Sequence, residues 1–474
     1  DSTRSAAVHV NHLGFLPDDP VKRGYLSHWM GDGGPASYSE GLAFHVMDVA
    51  TESRVLSGAT RLVLAASGSS VNEAESGNLT RTDVYALDFS DLSEPGEYRV
   101  CVEGIGCSYS FRISETSTWR RALVRSARGA YHQRSGIALG GEHSAIERPR
   151  PYHPEDGVEV YQTTATLLET GNGLAGGDQF GPLLEGLTDE LVPEAWGGHF
   201  DAGDWDRRVQ HLWMSLLFME LFELFPVYFD ALELNIPESG DSVPDVVDEA
   251  LWSLDHYRRL QTPEGGIRGG VEAAEHPVYG EASWQESLTI MAYAPDPWSS
   301  FTYAGTAARA SFLLQGIDPD RASSYASSAT SAWDWAEGQP IPGWQETIES
   351  VRSWAAAELF RLSGEARYHE AFLEATPFAS GVQDQLGCRG IGPCDAGFVY
   401  ARTDHPEVDE ALRQTVLDSF TAHGDRVLET TTGTTAFEWA QDNQWYPESW
   451  GMGPSVPNAV GLLRAHALTG ETTY

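Results

Sequence analysis

The stretch Gly197-Gly198-His199-Phe200-Asp201-Ala202-Gly203-Asp204-Trp205-Asp206-Arg207-Arg208 carries the residue types best suited to chemistry. Asp201 and Asp204 stand at i and i+3 across an Ala-Gly step, and a strongly apolar run follows. This spacing predicts both acids in the first turn of a helix, on one face, beside backbone N–H groups without helical partners. Two carboxylates held this way orient a water molecule and take its proton, the step that inverting hydrolysis of a glycosidic bond requires. The same D-x-x-D pattern also starts a helix by capping alone, so the acids have two readings. The Gly197-Gly198 approach and the flanking rings of Phe200 and Trp205 favour the chemical one.

The elements that must position these acids are mostly helical. Leu212 to Phe225 is apolar almost all round, broken only by Ser215, Glu220 and Glu223, and predicts a helix buried on most sides. Trp119, Leu123, Val124, Ala127, Ala130 and Tyr131 share one helical face. Val243, Val246, Val247, Ala250, Leu251, Leu254 and Tyr257 share another, with Pro244 in its first turn. Further helices are predicted near 300–316, 320–338, 346–363, 366–376, 405–423 and 455–469, with no strand-rich stretch among them. The segment from about 140 to 205 reads as a long loop, a length that points to function. Residues 1 to 113 read as β instead. Strand-like runs at Val8–Phe15, Gly24–His28, Leu42–Asp48, Ser53–Leu56, Asp83–Phe89, Tyr98–Val102 and Cys107–Ile113 suit a β-sandwich.

A chain of 474 residues predicts two or three domains. Its formal charge of −39 repels phosphate backbones and anionic membranes, which leaves a neutral or cationic substrate. Lys22 is the only lysine. Fifteen Trp, eighteen Tyr and eighteen Phe supply rings both for cores and for stacking on sugars. Cys101/Cys107 and Cys388/Cys394 each enclose a short Gly-containing loop that closes a disulfide easily, and so predict an oxidising, extracellular setting. No apolar run is long enough to span a membrane. The expectation is a secreted monomer.

The D-A-G-D segment resembles the motif of glycoside hydrolase family 9, the family of many endoglucanases. The resemblance implies that Asp204 is the catalytic base and that Asp201 helps hold the attacking water. V-N-H-L-G-F-L-P, D-F-S-D-L-S-E-P-G-E-Y-R-V and S-F-R-I resemble the immunoglobulin-like module found ahead of many such catalytic domains. Y-Q-T-T-A-T-L-L-E-T, G-G-D-Q-F-G-P and I-P-E-S-G-D-S-V-P-D-V-V-D-E-A-L-W extend the likeness. The implied fold is multidomain: an immunoglobulin-like β-sandwich over 1–114, then an all-α (α/α)6 barrel over 115–474 that lacks its last helices. The implied activity is inverting hydrolysis of β-1,4 bonds in cellulose or related β-glucans. Chitosan oligomers form a second substrate class.

Other site residues follow less directly. Glu238, Asp241 and Asp245 lie in an acidic, Gly-containing segment able to supply oxygens to a structural calcium, with helix capping as the other reading. No cofactor is needed for the chemistry. The region of the family's zinc site, Arg134 to His153, has His143 and His153 but no Cys, so that site is lost. Trp284, Trp298 and Trp445, with His199, are the substrate-binding candidates. In the family a general-acid Glu lies near the C-terminus, after a His/Arg loop; neither motif has a match before T-G-E-T-T-Y. Either a longer polypeptide supplies the acid or the protein binds carbohydrate without cleaving it. Glu448 is a weak substitute, flanked by Pro447 and Trp450. A polysaccharide lyase is disfavoured, since uronic acids call for a basic cleft.

Overall fold

The computed structural model describes residues 3–68, 78, 80–115, 117–203, 206, 208–341, 345–388, 390–438, 440 and 456–474. Packing divides the chain into two compact units. One holds Asp1–Ser126, Thr421–His466 and Glu471–Tyr474; the other holds Ala127–Phe420 and Ala467–Gly470.

In the first unit, alternating apolar runs become short strands: β1 (Val8–Val10), β2 (Arg23–Leu26), β3 (Ala43–Asp48), β4 (Arg54–Ala59) and β5 (Arg61–Leu64). Then come β6 (Val84–Asp88), β7 (Gly96–Val102), β8 (Gly106–Cys107) and β9 (Phe111–Ile113). They form two antiparallel sheets, ordered β1-β2-β6-β5 and β4-β3-β7-β8, with β9 also on β7. Leu26 and Leu87 from one sheet meet Val46, Val100 and Phe111 from the other in a closed core. The sequence reading missed β5, whose alternation is short and half-exposed. Lys22 is 1% exposed, its ammonium donating to the carbonyls of Asp19 at 2.7 Å and Ser90 at 3.2 Å. Cys101 and Cys107 are bonded across the β7–β8 hairpin. Beside this sandwich, Arg23 forks onto Glu438 at 2.9 Å to each oxygen, and Tyr25 donates to the same carboxylate.

The chain then runs through α1 (Ser117–His132), α2 (Gly181–Glu185), α3 (Leu212–Leu224), α4 (Pro226–Asp230), α5 (Asp245–Arg259) and α6 (Pro297–Leu314). It continues in α7 (Pro319–Glu337), α8 (Gln345–Ser363), α9 (Ala366–Ala375), α10 (Pro393–Ala401), α11 (Glu410–Thr434) and α12 (Val456–Thr469). Most predicted helices match these closely, but α11 starts and ends later than the expected 405–423. The short α2 and α4 were not foreseen, nor was α10, enclosed by apolar neighbours and entered through the Cys388–Cys394 disulfide. α6 is buried along nearly its whole length. Gly305 permits this, because a Cβ there would sit 2.4 Å from the Trp354 ring of α8.

The polar breaks in α3 have a purpose. Glu220 and Glu223 point into the helical unit, where Arg309 pairs with Glu220 and Glu358, Arg361 with Glu223 and Glu358, and Arg402 with Glu223. Burying such charges is tolerable only because they are paired and hydrogen-bonded.

One expectation fails here. The helical unit contains a sheet, built from β10 (Val160–Thr166), β11 (Leu187–Leu191), β12 (Val271–Ala273) and β13 (Ile290–Ala294) in the order β11-β10-β13-β12. β10 and β13 are parallel and distant in sequence, with Val160 opposite Ile290. Such short strands gain their stability from pairing that local periodicity does not reveal. No helix among the described residues is long and apolar enough to cross a membrane.

Candidate active site

Asp206 organises the glycine-rich loop. It is 1% exposed, and both of its oxygens are saturated. Oδ2 accepts from the His199 amide at 3.0 Å and from Ser253 Oγ at 2.9 Å. Oδ1 pairs with His211 Nδ1 at 2.8 Å and accepts from Tyr257 Oη at 2.7 Å. Ser253 and Tyr257 both belong to α5, so this one carboxylate ties the loop to that helix. Burial opposes its ionisation, but His211 and the other donors win and hold it far below the usual carboxylate range. His211 shifts the opposite way: burial disfavours its charge, yet the Asp206 carboxylate raises its pKa.

Glycine is required where the loop closes. Gly197 and Gly198 have φ of +95° and +73°, and a Cβ on Gly198 would sit 2.4 Å from Asp206 Oδ2.

Asp201 sits above this anchor, half-buried. Its Oδ2 accepts from Arg208 Nε at 2.9 Å and Nη2 at 2.6 Å, with His211 Nε2 at 3.7 Å. His211 thus lies between two carboxylates, one at each ring nitrogen. Asp204, Trp205 and Arg207 lie outside the described residues.

Asp201 does not stand in the expected helical first turn; the same expectation for Asp204 lies outside the described residues. Ala202 has φ of +63°, Arg208 is extended, and regular helix starts only after a 3-10 turn at Val209–His211. Asp206 and its partners hold the backbone out of the helix, because saturating a buried carboxylate outweighs one more helical turn. Asp201 is therefore a loop residue, and its partners include the Arg208 guanidinium.

A second layer lies beneath. His199 is 4% exposed, and its Nε2 meets Glu249 Oε1 at 2.9 Å. It supports the loop from below, which corrects its expected role as a substrate contact. Glu249 also takes Arg134 at 3.0 Å, and Arg134 reaches Glu238 at 2.8 Å. The Trp252 indole lies over Arg134 and donates to the Gly198 carbonyl at 2.9 Å.

The aromatic candidates separate. Trp298 is 5% exposed within α6, so it packs the core and offers no face to a sugar; this corrects its assignment. Trp284 is 44% exposed in a short turn of the β12–β13 connection. That connection is attached to the site, since Val271 N donates to the Asp206 carbonyl at 3.0 Å. Trp445 and Glu448 lie outside the described residues.

Glu238, Asp241 and Asp245 each serve groups of the protein itself. Asp245 Oδ2 is engaged by the Leu234 amide and Ser239 Oγ, both at 2.5 Å, Asp241 takes the Val243 amide at 2.7 Å, and Glu238 is held by Arg134. No cluster able to hold a metal occurs among the described residues. Helix capping, the other reading, does not describe these acids: α5 is entered through Pro244 with no side-chain cap, Asp241 closes a turn onto Val243, and Asp245 ties down the segment at Leu234 and Ser239. Nearby Asp248 is buried with an unbonded Oδ2; burial, then Asp241, push it up to about 8 against the pull of Arg321.

The comparisons fit this geometry. Residues 3–107 match the model of the cellulase N-terminal ig-like domain, and residues 119–465 match that of glycosyl hydrolase family 9. The chain belongs to glycosyl hydrolase family 9. The ig-like module precedes the family 9 domain, a helical domain of the (α/α)6 type. Endoglucanase D of Acetivibrio thermocellus is 24% identical over 375 residues, 74% of this chain and 55% of that protein. A xyloglucan-specific endo-beta-1,4-glucanase of Bacteroides ovatus is 22% identical, over 83% of this chain and 67% of its own. The chain thus spans little more than half the length of Endoglucanase D. The crystal structure of a metagenome-derived family 9 endoglucanase superposes with a TM-score of 0.75 at 22% identity, covering 98% of this chain and 80% of that one. A family 9 structure from Bacteroides ovatus gives 0.76 at 19% identity, covering 99% and 82%.

Proposed function

We propose that the full polypeptide is a secreted, monomeric hydrolase that cleaves β-1,4-glycosidic bonds of cellulose or related β-glucans with inversion. Asp204 is the general base, and Asp201 steadies the water it activates. The observation that carries this reading is the grip of Arg208 on Asp201 at 2.6 and 2.9 Å, on a loop fixed from below by Asp206. A carboxylate held in a single orientation at a partly open surface suits the placement of a nucleophile. The endoglucanase names of the relatives support a β-glucan substrate. The leaving oxygen needs a proton from a second carboxyl group roughly 6.5–9.5 Å from the base, and no described residue is assigned that role.

Asp204→Ala in the full-length polypeptide, with hydrolysis of cellulose and mixed-linkage glucan measured and product anomers resolved by NMR, tests the proposal. Loss of turnover with the fold intact, and α-configured first products from the parent, are expected. Retained turnover overturns the base; β-configured products overturn inversion; an intact parent with no turnover leaves a carbohydrate-binding protein. The charge of −39 favours one second reading, hydrolysis of cationic chitosan oligomers, for which the same product analysis decides.

A further inference from the structure

A cavity of about 440 Å³ opens where the segment after β10, the start of α6 and the end of α7 come together. Its size lies within the range of small-molecule pockets, roughly 300–1,000 Å³. Glu169, Asp296, Trp335, Gln339 and Thr166 supply its chemistry, and prolines 295, 297 and 340 its apolar wall. No Lys, Arg or His lines it, so nothing in the wall pairs with a phosphate, sulfate or uronate.

The polar groups are set in advance. Glu169 Oε2 accepts from Thr166 N at 2.8 Å and from Thr166 Oγ1 at 2.9 Å, which fixes its carboxylate at the rim. Asp296 is 1% exposed, and Ser299 donates to it twice, through N and Oγ, each at 2.8 Å. Sealed in this way, Asp296 is part of the wall. Glu169 is exposed, and a carboxylate offers about four acceptor positions, so Glu169 still accepts from a hydroxyl entering the cavity. Trp335 is half-buried and fixed in place, since a Cβ on Gly266 would lie 2.6 Å from its indole. An aromatic face with acceptors around it matches a pyranose ring, which presents C–H groups on one face and hydroxyl donors at its edge.

We propose that this cavity binds a neutral hexopyranose unit, laid against Trp335 with a hydroxyl donating to Glu169. The proposal deepens the β-glucan reading and rests on it for the identity of the sugar. The cavity shares support with the reacting loop. Gly269 packs against Leu167 and Ser299, with a Cβ there only 2.5 Å from Leu167, and two residues later Val271 N holds the Asp206 carbonyl.

The test is binding without turnover, on the Asp204→Ala chain. Cellotetraose is titrated while the indole N–H resonances are followed by NMR, and glucosamine tetramer is titrated in parallel. Saturable shifts of the Trp335 resonance are expected, with about tenfold weaker binding in Glu169→Gln, checked for an unchanged melting temperature. Glu169 is exposed, so its variant tests the site without disturbing the fold. A silent Trp335 resonance, or unchanged binding in Glu169→Gln, overturns the proposal. Tenfold tighter binding of the glucosamine tetramer also overturns it, in favour of a cation-selective pocket. Because no hydrolysis is read, failure here leaves the base assignment standing, and loss of that assignment leaves this result standing.

Discussion

Arg208 grips Asp201 through two nitrogens on a single oxygen, Nε at 2.9 Å and Nη2 at 2.6 Å. The pair is partly solvent-exposed, so its value to folding is small, about 0–1 kcal/mol. Its effect is on orientation. Arg208→Ala in the full-length polypeptide is therefore expected to lower kcat by about 100-fold, with little change in melting temperature. Arg208→Lys, which keeps the charge but loses the fork, should recover only part of the rate. Equal activity in all three proteins would show that Asp201 needs no such grip.

Asp206 should behave differently, as a residue of the fold. Its neighbours all donate, so an amide in its place opposes two of them, and Asp206→Asn is expected to cost about 3 kcal/mol in urea unfolding. Gly198→Ala forces a side chain onto that carboxylate at a left-handed position and should cost at least about 2 kcal/mol.

The same pair sets a pH dependence. His211 has a raised pKa when folded, so its contribution is complete below about 6.5 and is lost as pH rises through the folded value. Asp206 has a lowered one, so its contribution is present above about 4 and is lost in stronger acid. His256, buried and pushed down to about 4, adds a loss of stability as pH falls below about 6.5. Melting temperature against pH should thus fall on the alkaline side in the parent. In Asp206→Asn that alkaline fall should become shallower, because His211 then keeps only Asp201, at 3.7 Å, as its acidic partner on folding.

Asp248 predicts a gain. Its carboxyl is raised to about 8 in the folded chain against about 3.9 when unfolded. Protonation therefore favours the fold, and stability drains away as pH rises between those values. Asp248→Asn should raise the melting temperature at pH 8 by several degrees and leave it nearly unchanged at pH 4. If added calcium produces the same rise in the parent, and not in the variant, the acids around Asp248 accept a cation after all.

In the sandwich unit, Arg23 and Tyr25 converge on Glu438, with Phe437 edge-on to Tyr25 at 5.4 Å between centroids. Glu438→Ala strands a half-buried arginine and a phenol whose pKa is raised chiefly by burial, then by that carboxylate. A loss of about 1–3 kcal/mol is expected by thermal unfolding of the whole chain, and Glu438→Gln should restore part of it.

The sequence shows much of this fold because helix faces and strand alternation are local. α6 to α9 and most sandwich strands follow from periodicity alone. The small sheet does not, since Val160 finds Ile290 only after the chain between them has folded. The site is legible in part. Asp201 stands out through its motif, but Asp206, two residues beyond the expected pair, passes for an ordinary surface acid until Ser253 and Tyr257 arrive from α5. Trp298 misleads for the converse reason: in a loop-like, aromatic-rich block, nothing in its neighbours reveals that α6 will be enclosed on every side.

Arg309 and Arg361, sealed among the helices with Glu220, Glu223 and Glu358, are out of reach of dissolved ions, which screen exposed charges far more than buried ones. Added salt therefore acts on the exterior, where it weakens exposed pairs such as Arg150–Asp156 and Arg367–Asp334 and quiets the repulsion among the excess acids, while the internal fastenings keep their strength. Exposed pairs contribute little each and the acidic excess is large, so brine should tighten this molecule.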